Sequence, residues 1–215
     1  MEINYHGQEG QDKWVIEDVF SFKKGGFFVD LAAGEPITFS NTYCLEKSLD
    51  WNGICIEPNP ITFDKLKCAR SVCCVKEVVD EVPREIDFMV NKPTSEADCW
   101  ALCHVQDLSS PFNHPGLKEN EWRSVKLRST TLESILKKHS APEIIDYLSL
   151  DVEGWEDKVL GVFDFNQFKF LCISIEGVSP FLHGHLSTNG YQFIKSSGPD
   201  GVGGLDSFYL HKDLL

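Results

Sequence analysis

Positive charge is scarce in this sequence: 20 lysines and arginines stand against 33 aspartates and glutamates, a formal net of −13. Such a surface repels phosphate backbones, so nucleic acid is not an expected partner. The most basic stretch, Arg123 to Lys138 with Lys126, Arg128 and Lys137, also carries Glu133, and its spacing suits a solvated strand and helix better than a phosphate groove. Long apolar runs are missing as well. No stretch approaches the roughly 18 apolar residues of a membrane helix, and residues 1–10 lack the apolar core of a secretory signal. The expectation is a soluble, cytoplasmic protein without membrane association. There is no internal repeat and no low-complexity tract. The 8 cysteines contain no CxxC pair, which removes the usual zinc and dithiol frameworks. Cys99, Cys103 and His104 come nearest to a metal set but lack a fourth ligand nearby. Reduced, mostly buried thiols and no metal are expected.

What is present is ordinary in amount and ordered in arrangement. With 215 residues, 42% hydrophobic and 25% charged, the chain fits one globular domain spanning 1–215. Short β-rich runs alternate with helical patterns. Phe27–Leu31 reads as a buried strand between Gly25-Gly26 and the small-residue loop Ala32-Ala33-Gly34. A helix follows from Pro36 or Ser40 to Leu49. Gly53–Glu57 is the second strand, stopped by Pro58-Asn59-Pro60, and Ile61–Arg70 a short helix. Val72–Val75 with Val78-Val79 suggests a third strand region, and Ile86–Val90 another strand. Ile144–Leu150 is the clearest strand of the second half. Phe170–Ile175 comes next, then weaker runs at Tyr191–Ile194 and Ser207–His211. This alternation predicts an α/β fold with a mostly parallel sheet and helices on both faces. Between 91 and 124 the pattern dissolves into polar residues, prolines and histidines. A loop that long inside a compact domain is read as a lid or substrate-contacting insert.

Acids recur where strands end: Asp30, Glu57, Asp151 and Glu176, with Glu35 in the first loop and Glu153 just past Asp151. In an open parallel sheet ligands bind beyond the carboxyl ends of the strands, so the row marks a site. A dinucleotide needs a glycine-rich pyrophosphate cradle; GxGxxG is absent, and Glu35 would repel a pyrophosphate. S-adenosyl-L-methionine suits the charge better, being free of phosphate and carrying a sulfonium, an amine and a ribose diol. Ala32 and Gly34 let backbone approach its methionine part, and Glu57, 27 residues after Asp30, is placed to accept both ribose hydroxyls.

Several stretches carry a resemblance: Gly10-Gln11-Asp12-Lys13-Trp14-Val15, Gly26–Leu31, Ser40-Asn41-Thr42-Tyr43 with Leu45-Glu46-Lys47, Trp51–Pro60, Thr131-Leu132, Ile145–Gly154 and Ile173–Glu176. The Ile-Glu-Pro-Asn and Leu-Asp-Val-Glu-Gly blocks, in that order, are specific. Over nearly the whole chain, from about Tyr5 to His211, the sequence resembles the FkbM family of S-adenosylmethionine-dependent methyltransferases. The resemblance implies a Rossmann-like class I methyltransferase fold of seven strands, the last antiparallel, and methylation of hydroxyl oxygens on small molecules or sugars. It implies cofactor contacts from Gln11, Asp30, Ala32, Gly34, Glu35, Asn41, Glu57, Pro58 and Asp151. Asp80, after Val79, would frame the adenine, and Asp151 and Glu153 would flank the transferred methyl. The family's first loop has glycines where this chain has Ala32 and Pro36. Ala32 fits there with a negative φ, and Pro36 removes an N–H.

Hydroxyl methylation needs a base as well as alignment. Asp151 is the first candidate and Glu153 the second. His183, with His185, is a third, reaching the pocket from the loop after Glu176; His104 and His114 lie in the insert. Trp100, Trp122 and Trp155 sit where an aromatic would stack on a sugar or adenine, or simply pack. Gly198–Gly204 lacks the Lys-Ser/Thr ending of a phosphate loop and reads as a connection. The reading is an O-methyltransferase with a small-molecule or glycan acceptor. The competing reading, motivated by Ala32 and Pro36, is a non-catalytic binding module that kept the fold.

Overall fold

The computed structural model describes residues 3–91, 103–106, 122–198 and 201–215. Cys99, Trp100 and His114, and with them most of the 91–124 insert, lie outside the described residues. A short helix α1 (Gln11–Lys13) continues into a π-helical turn at Trp14–Val19, and strand β1 (Phe27–Leu31) follows. Next come α2 (Tyr43–Leu49), β2 (Asn52–Ile56), α3 (Pro60–Ala69), β3 (Cys73–Val75), β4 (Val78–Val79), β5 (Glu85–Asn91), β6 (His104–Val105) and β7 (Trp122–Thr130). The second half runs α4 (Leu132–Lys138), β8 (Ile144–Leu150), α5 (Glu156–Leu160), β9 (Lys169–Glu176), α6 (Pro180–Thr188), β10 (Tyr191–Ser196) and β11 (Asp206–His211).

The main sheet has seven strands in the order β10-β11-β9-β8-β1-β2-β3. Strands β3, β2, β1, β8 and β9 pair in parallel, while β11 is antiparallel to both β9 and β10. The sheet is therefore mixed, which corrects the mostly parallel expectation. A second sheet lies outside the sequence expectation: β4-β7-β5-β6, with β5 and β7 antiparallel from Glu85↔Arg128 to Asn91↔Trp122. It divides the run from Val72 to Val79. Cys73–Val75 pairs with β2, whereas Val78-Val79 pairs with Ser129-Thr130.

Alternation along the strands sorts their side chains onto two faces. Val29 and Leu31 of β1, Ile54 and Ile56 of β2, and Leu148 and Leu150 of β8 pack with α4, α5, α6 and the second sheet. Phe28, Cys55, Tyr147 and Cys172 face the other way, against Trp14, Val15 and Ile16, Leu45 and Leu49 of α2, and Leu66 of α3. Both faces are covered, and a fully buried aliphatic or aromatic side chain contributes roughly 1.5–3 kcal/mol.

Helix α2 starts at Tyr43, later than either Pro36 or Ser40. The Ser40 hydroxyl accepts from the Tyr43 N–H at 3.2 Å and from the Thr42 N–H at 3.4 Å, so it caps the helix from outside. The chain before it is irregular, with Phe39 left-handed at φ 63° and bridged to Gly7. The N-terminal segment is thereby tied over the carboxyl ends of the strands.

Candidate active site

A cleft opens where β1, β2 and β8 end. Its floor follows from the register: Asp30 lies beside Cys55 on one side and Ser149 on the other. The first loop is pulled across β2 by Ala32 N–H and Ala33 N–H, which both donate to the Ile56 carbonyl at 2.9 and 3.1 Å. On the far side the Asp151 N–H reaches the Leu31 carbonyl at 3.3 Å. Gln11, Asp30, Ala32, Gly34, Glu35, Asn41, Glu57, Pro58, Asp151 and Glu153 all line this cleft.

Ala32 is the first departure from expectation. Its φ is 63°, not negative, so an alanine occupies a left-handed position where glycine carries no Cβ penalty. The loop keeps a glycine-like path in spite of the side chain. Pro36 is buried and does not line the cleft. Ala32→Gly is expected to leave stability unchanged or raise it by up to about 1 kcal/mol, while Ala33→Gly at the neighbouring buried position lowers it by a similar amount. Urea denaturation of the two variants checks the contrast.

Glu57 is buried and held by two backbone donors, Gly34 N–H on Oε2 at 2.9 Å and Asn59 N–H on Oε1 at 2.8 Å. Burial pushes its pKa up to about 7, against these two bonds and with help from the nearby Asp30 charge. Asp30, also buried, is pushed upward by burial and opposed by the Arg70 charge and by hydrogen bonds from Thr42 and Ser149. Asn41 donates to the Ser149 hydroxyl at 2.9 Å, but its Oδ1 is buried and meets no donor. Gln11 Oε1 accepts from the Glu9 N–H at 2.9 Å. Glu35 is ion-paired with Lys65 at 2.7 Å.

Asp151 Oδ1 is likewise buried and meets no N–H or O–H donor. Burial, then the neighbouring Glu176 carboxyl and the charges of Glu176, Glu153 and Asp206, drive its pKa well above the usual carboxylate range. Asp151, Glu153 and Glu176 each place an oxygen within 4.8 Å of the others, close enough to hold a cation between them. The loop that carries the first two is strained, with Glu153 at φ 54° and Gly154 at φ 91°. It is braced from below by Glu156, whose Oε1 accepts from Val152 N–H at 3.3 Å and Gly154 N–H at 3.1 Å. Glu156, buried and with its pKa raised to about 7 by burial, belongs to no motif singled out in the sequence.

Two expected site residues lie elsewhere. Asp80 is buried behind the wall: its carboxylate accepts from Trp155 Nε1 at 3.0 Å, Arg84 Nε at 2.6 Å and the Glu81 N–H at 2.8 Å. It fixes Trp155, which does line the cleft, and is not itself one of the lining residues. His183 stands on α6, exposed, with Nδ1 3.0 Å from the Tyr209 hydroxyl. Ser179 caps that helix through the Leu182 N–H at 3.0 Å and Pro180 begins it, so the residues expected in a loop are rolled onto a helix away from the cleft. His104 is buried and packs edge-on against Trp122 at 4.8 Å.

The charge of the lining is one-sided. Among the described residues, six acids line the cleft (Asp30, Glu35, Glu57, Glu77, Asp151 and Glu153) and no lysine, arginine or histidine does. Val78, Val79, Phe88, Val105 and Trp155 form an apolar wall opposite. A family model, the methyltransferase FkbM domain, matches residues 30–192, from the first strand-end acid to the start of β10. The chain belongs to the FkbM methyltransferase family. Comparison with curated proteins returned no match. Among the described residues, no helix of this FkbM methyltransferase is long and apolar enough to cross a membrane.

Proposed function

We propose that the chain transfers a methyl group from S-adenosyl-L-methionine to a hydroxyl oxygen of a small molecule or glycan. The observation that carries this is the cleft lining: six acids without a base, in a family of methyltransferases. That field disfavours a phosphate-bearing dinucleotide and favours a cation.

The residues present fit the cofactor. Asn41 Oδ1 is a buried acceptor lacking a donor, suited to an ammonium. Each Glu57 oxygen spends one lone pair on a backbone N–H and retains another for a ribose hydroxyl. Ala32, Ala33 and Gly34 let backbone approach closely, and the Val79–Phe88–Trp155 wall offers an apolar slot for a base. When bound, S-adenosylmethionine supplies an electrophilic methyl on a positive sulfonium. The chain's own part is to align the acceptor, exclude water and take up a proton. Asp151 is the proposed base: it lies in the cleft with a buried oxygen that meets no donor, and burial with neighbouring acids raises its proton affinity above that of an ordinary carboxylate; Glu153 is beside it.

Calorimetry with S-adenosylhomocysteine and with NAD tests the reading. The first alone is expected to bind; binding of neither favours the non-catalytic module, and binding of NAD alone favours an oxidoreductase. Glu57→Ala is expected to weaken S-adenosylhomocysteine by ~1–3 kcal/mol, since it removes charge-assisted hydrogen bonds. Unchanged affinity would take Glu57 out of the site.

A further inference from the structure

We propose that Arg70, which does not line the cleft, is a positioning residue for Asp30: acting through the Thr42 hydroxyl, it holds the Asp30 carboxylate charged and fixed beneath the cationic ligand. The inference rests on the reading of the cleft as an S-adenosylmethionine site and adds a group that reaches it at second hand.

Arg70 follows α3, and its side chain is wholly buried. Its guanidinium lies over the rings of Phe28 and Tyr43, at 5.6 and 5.9 Å from their centroids. Nε donates to Glu46 Oε2 at 2.5 Å, Nη1 to Ser40 Oγ at 3.2 Å and Nη2 to Thr42 Oγ1 at 2.9 Å. Thr42 Oγ1 in turn lies 2.5 Å from Asp30 Oδ2.

The proton count gives this chain a direction. A guanidinium only donates, so at that contact Thr42 must accept. The single hydroxyl proton of Thr42 is then left to point at Asp30, which must accept it. A hydrogen bond donated into a carboxylate favours its charged form. Glu46, the other acid at the guanidinium, has further partners of its own: Lys47 Nζ at 2.5 Å and the Ser71 N–H at 2.8 Å. Arg70 is therefore not consumed by Glu46. The groups bearing on Asp30 from neighbouring elements are Ser149 and Tyr147 of β8, Cys55 of β2, and Glu57 at the end of β2. Ser149 donates to it, Glu57 opposes its ionisation, and Arg70 is the cation of the set.

Thr42→Val removes the relaying hydroxyl and leaves the Arg70–Glu46 pair in place; Thr42→Ser restores the hydroxyl. Arg70→Lys is the companion variant, keeping the charge but losing the fork that reaches Glu46 and Thr42 together. The first readout, carboxyl NMR of Asp30 in the ligand-free protein, is independent of any cofactor. Its titration midpoint is expected to rise by about one pH unit in Thr42→Val and to return in Thr42→Ser, as a hydrogen bond to the charged form is lost and regained. The second readout is S-adenosylmethionine affinity against pH. Thr42→Val and Arg70→Lys are expected to bind about five- to tenfold more weakly below the measured Asp30 midpoint, with the deficit narrowing above it as Asp30 ionises. An Asp30 midpoint unmoved by Thr42→Val overturns the inference, whatever the affinities. A wild-type chain that binds no S-adenosylmethionine overturns the cofactor reading instead, and the positioning role with it.

Discussion

Asp151→Asn is expected to lower kcat for methyl transfer by ~10²–10⁴, the usual contribution of a positioned base, while S-adenosylhomocysteine affinity stays within about threefold, or under ~1 kcal/mol. The same substitution is expected to make the ligand-free protein more stable at pH 8. Asp151 sits among Glu153, Glu176 and Asp206, with Oδ1 buried and lacking a donor. An ionised carboxylate there meets like charges in a desolvated site, and an amide of the same shape removes one charge and offers an N–H to Glu176. Loss of turnover with gain of stability is the signature of a group kept for chemistry. If Asp151→Asn loses affinity in step with kcat, Asp151 orients a ligand and Glu153 becomes the leading base. If it loses stability, the cluster is a structural brace. Steady-state kinetics, calorimetry and thermal melts on this variant separate the three outcomes.

Much of this site is legible in the sequence. The strands at Phe27–Leu31 and Ile144–Leu150 declare themselves because fully buried strands are continuous apolar runs, and acids placed at their carboxyl ends must share one edge once the strands pair in parallel. Other features are illegible for physical reasons. Arg70 meets Glu46, Ser40 and Thr42 across 24 to 30 residues of sequence, and no local pattern announces such a pairing. Glu156 is an ordinary acid in the first turn of a helix until the folded loop brings Val152 and Gly154 N–H groups onto it. Asp80 occupies the expected turn, but whether its carboxylate faces a ligand or a tryptophan depends on side-chain packing that spacing does not encode. Val78-Val79 is too short to show which sheet it joins. His183 is different: Ser179-Pro180 is a readable helix start, and it places the histidine on a helix.

The ligand-free protein is expected to lose stability as pH rises from about 5 to about 8. Burial raises the folded-state pKa of Glu57 and Glu156 from 4.5 to about 7 and that of Asp206 from 3.8 to about 6, and it moves Asp30 and Asp151 in the same direction. A carboxyl group whose pKa is higher folded than unfolded favours folding fully only below its unfolded value, and that contribution is lost as pH climbs through the folded one. Glu57 and Glu156 are nearly inaccessible, so solvent screening discounts them little, and each is worth about 3 kcal/mol across the window. Glu46 runs the opposite way, lowered by Arg70, Lys47 and Ser71 against its burial, but its contribution is lost only as pH falls below the usual carboxylate range. For a chain of this length the Tm is expected to drop on the order of 10 °C between pH 5 and pH 8. A cationic ligand reverses the sign. S-adenosylmethionine carries a sulfonium that S-adenosylhomocysteine lacks, so the ratio of their affinities should rise with pH as Glu57 ionises, and binding of the former should release protons. Calorimetry in buffers of different ionisation enthalpy measures that release directly. A Tm that is flat or rises towards pH 8, or an affinity ratio indifferent to pH, would mean that these acids ionise in the folded chain without cost, and the cleft would lose its claim on a cation.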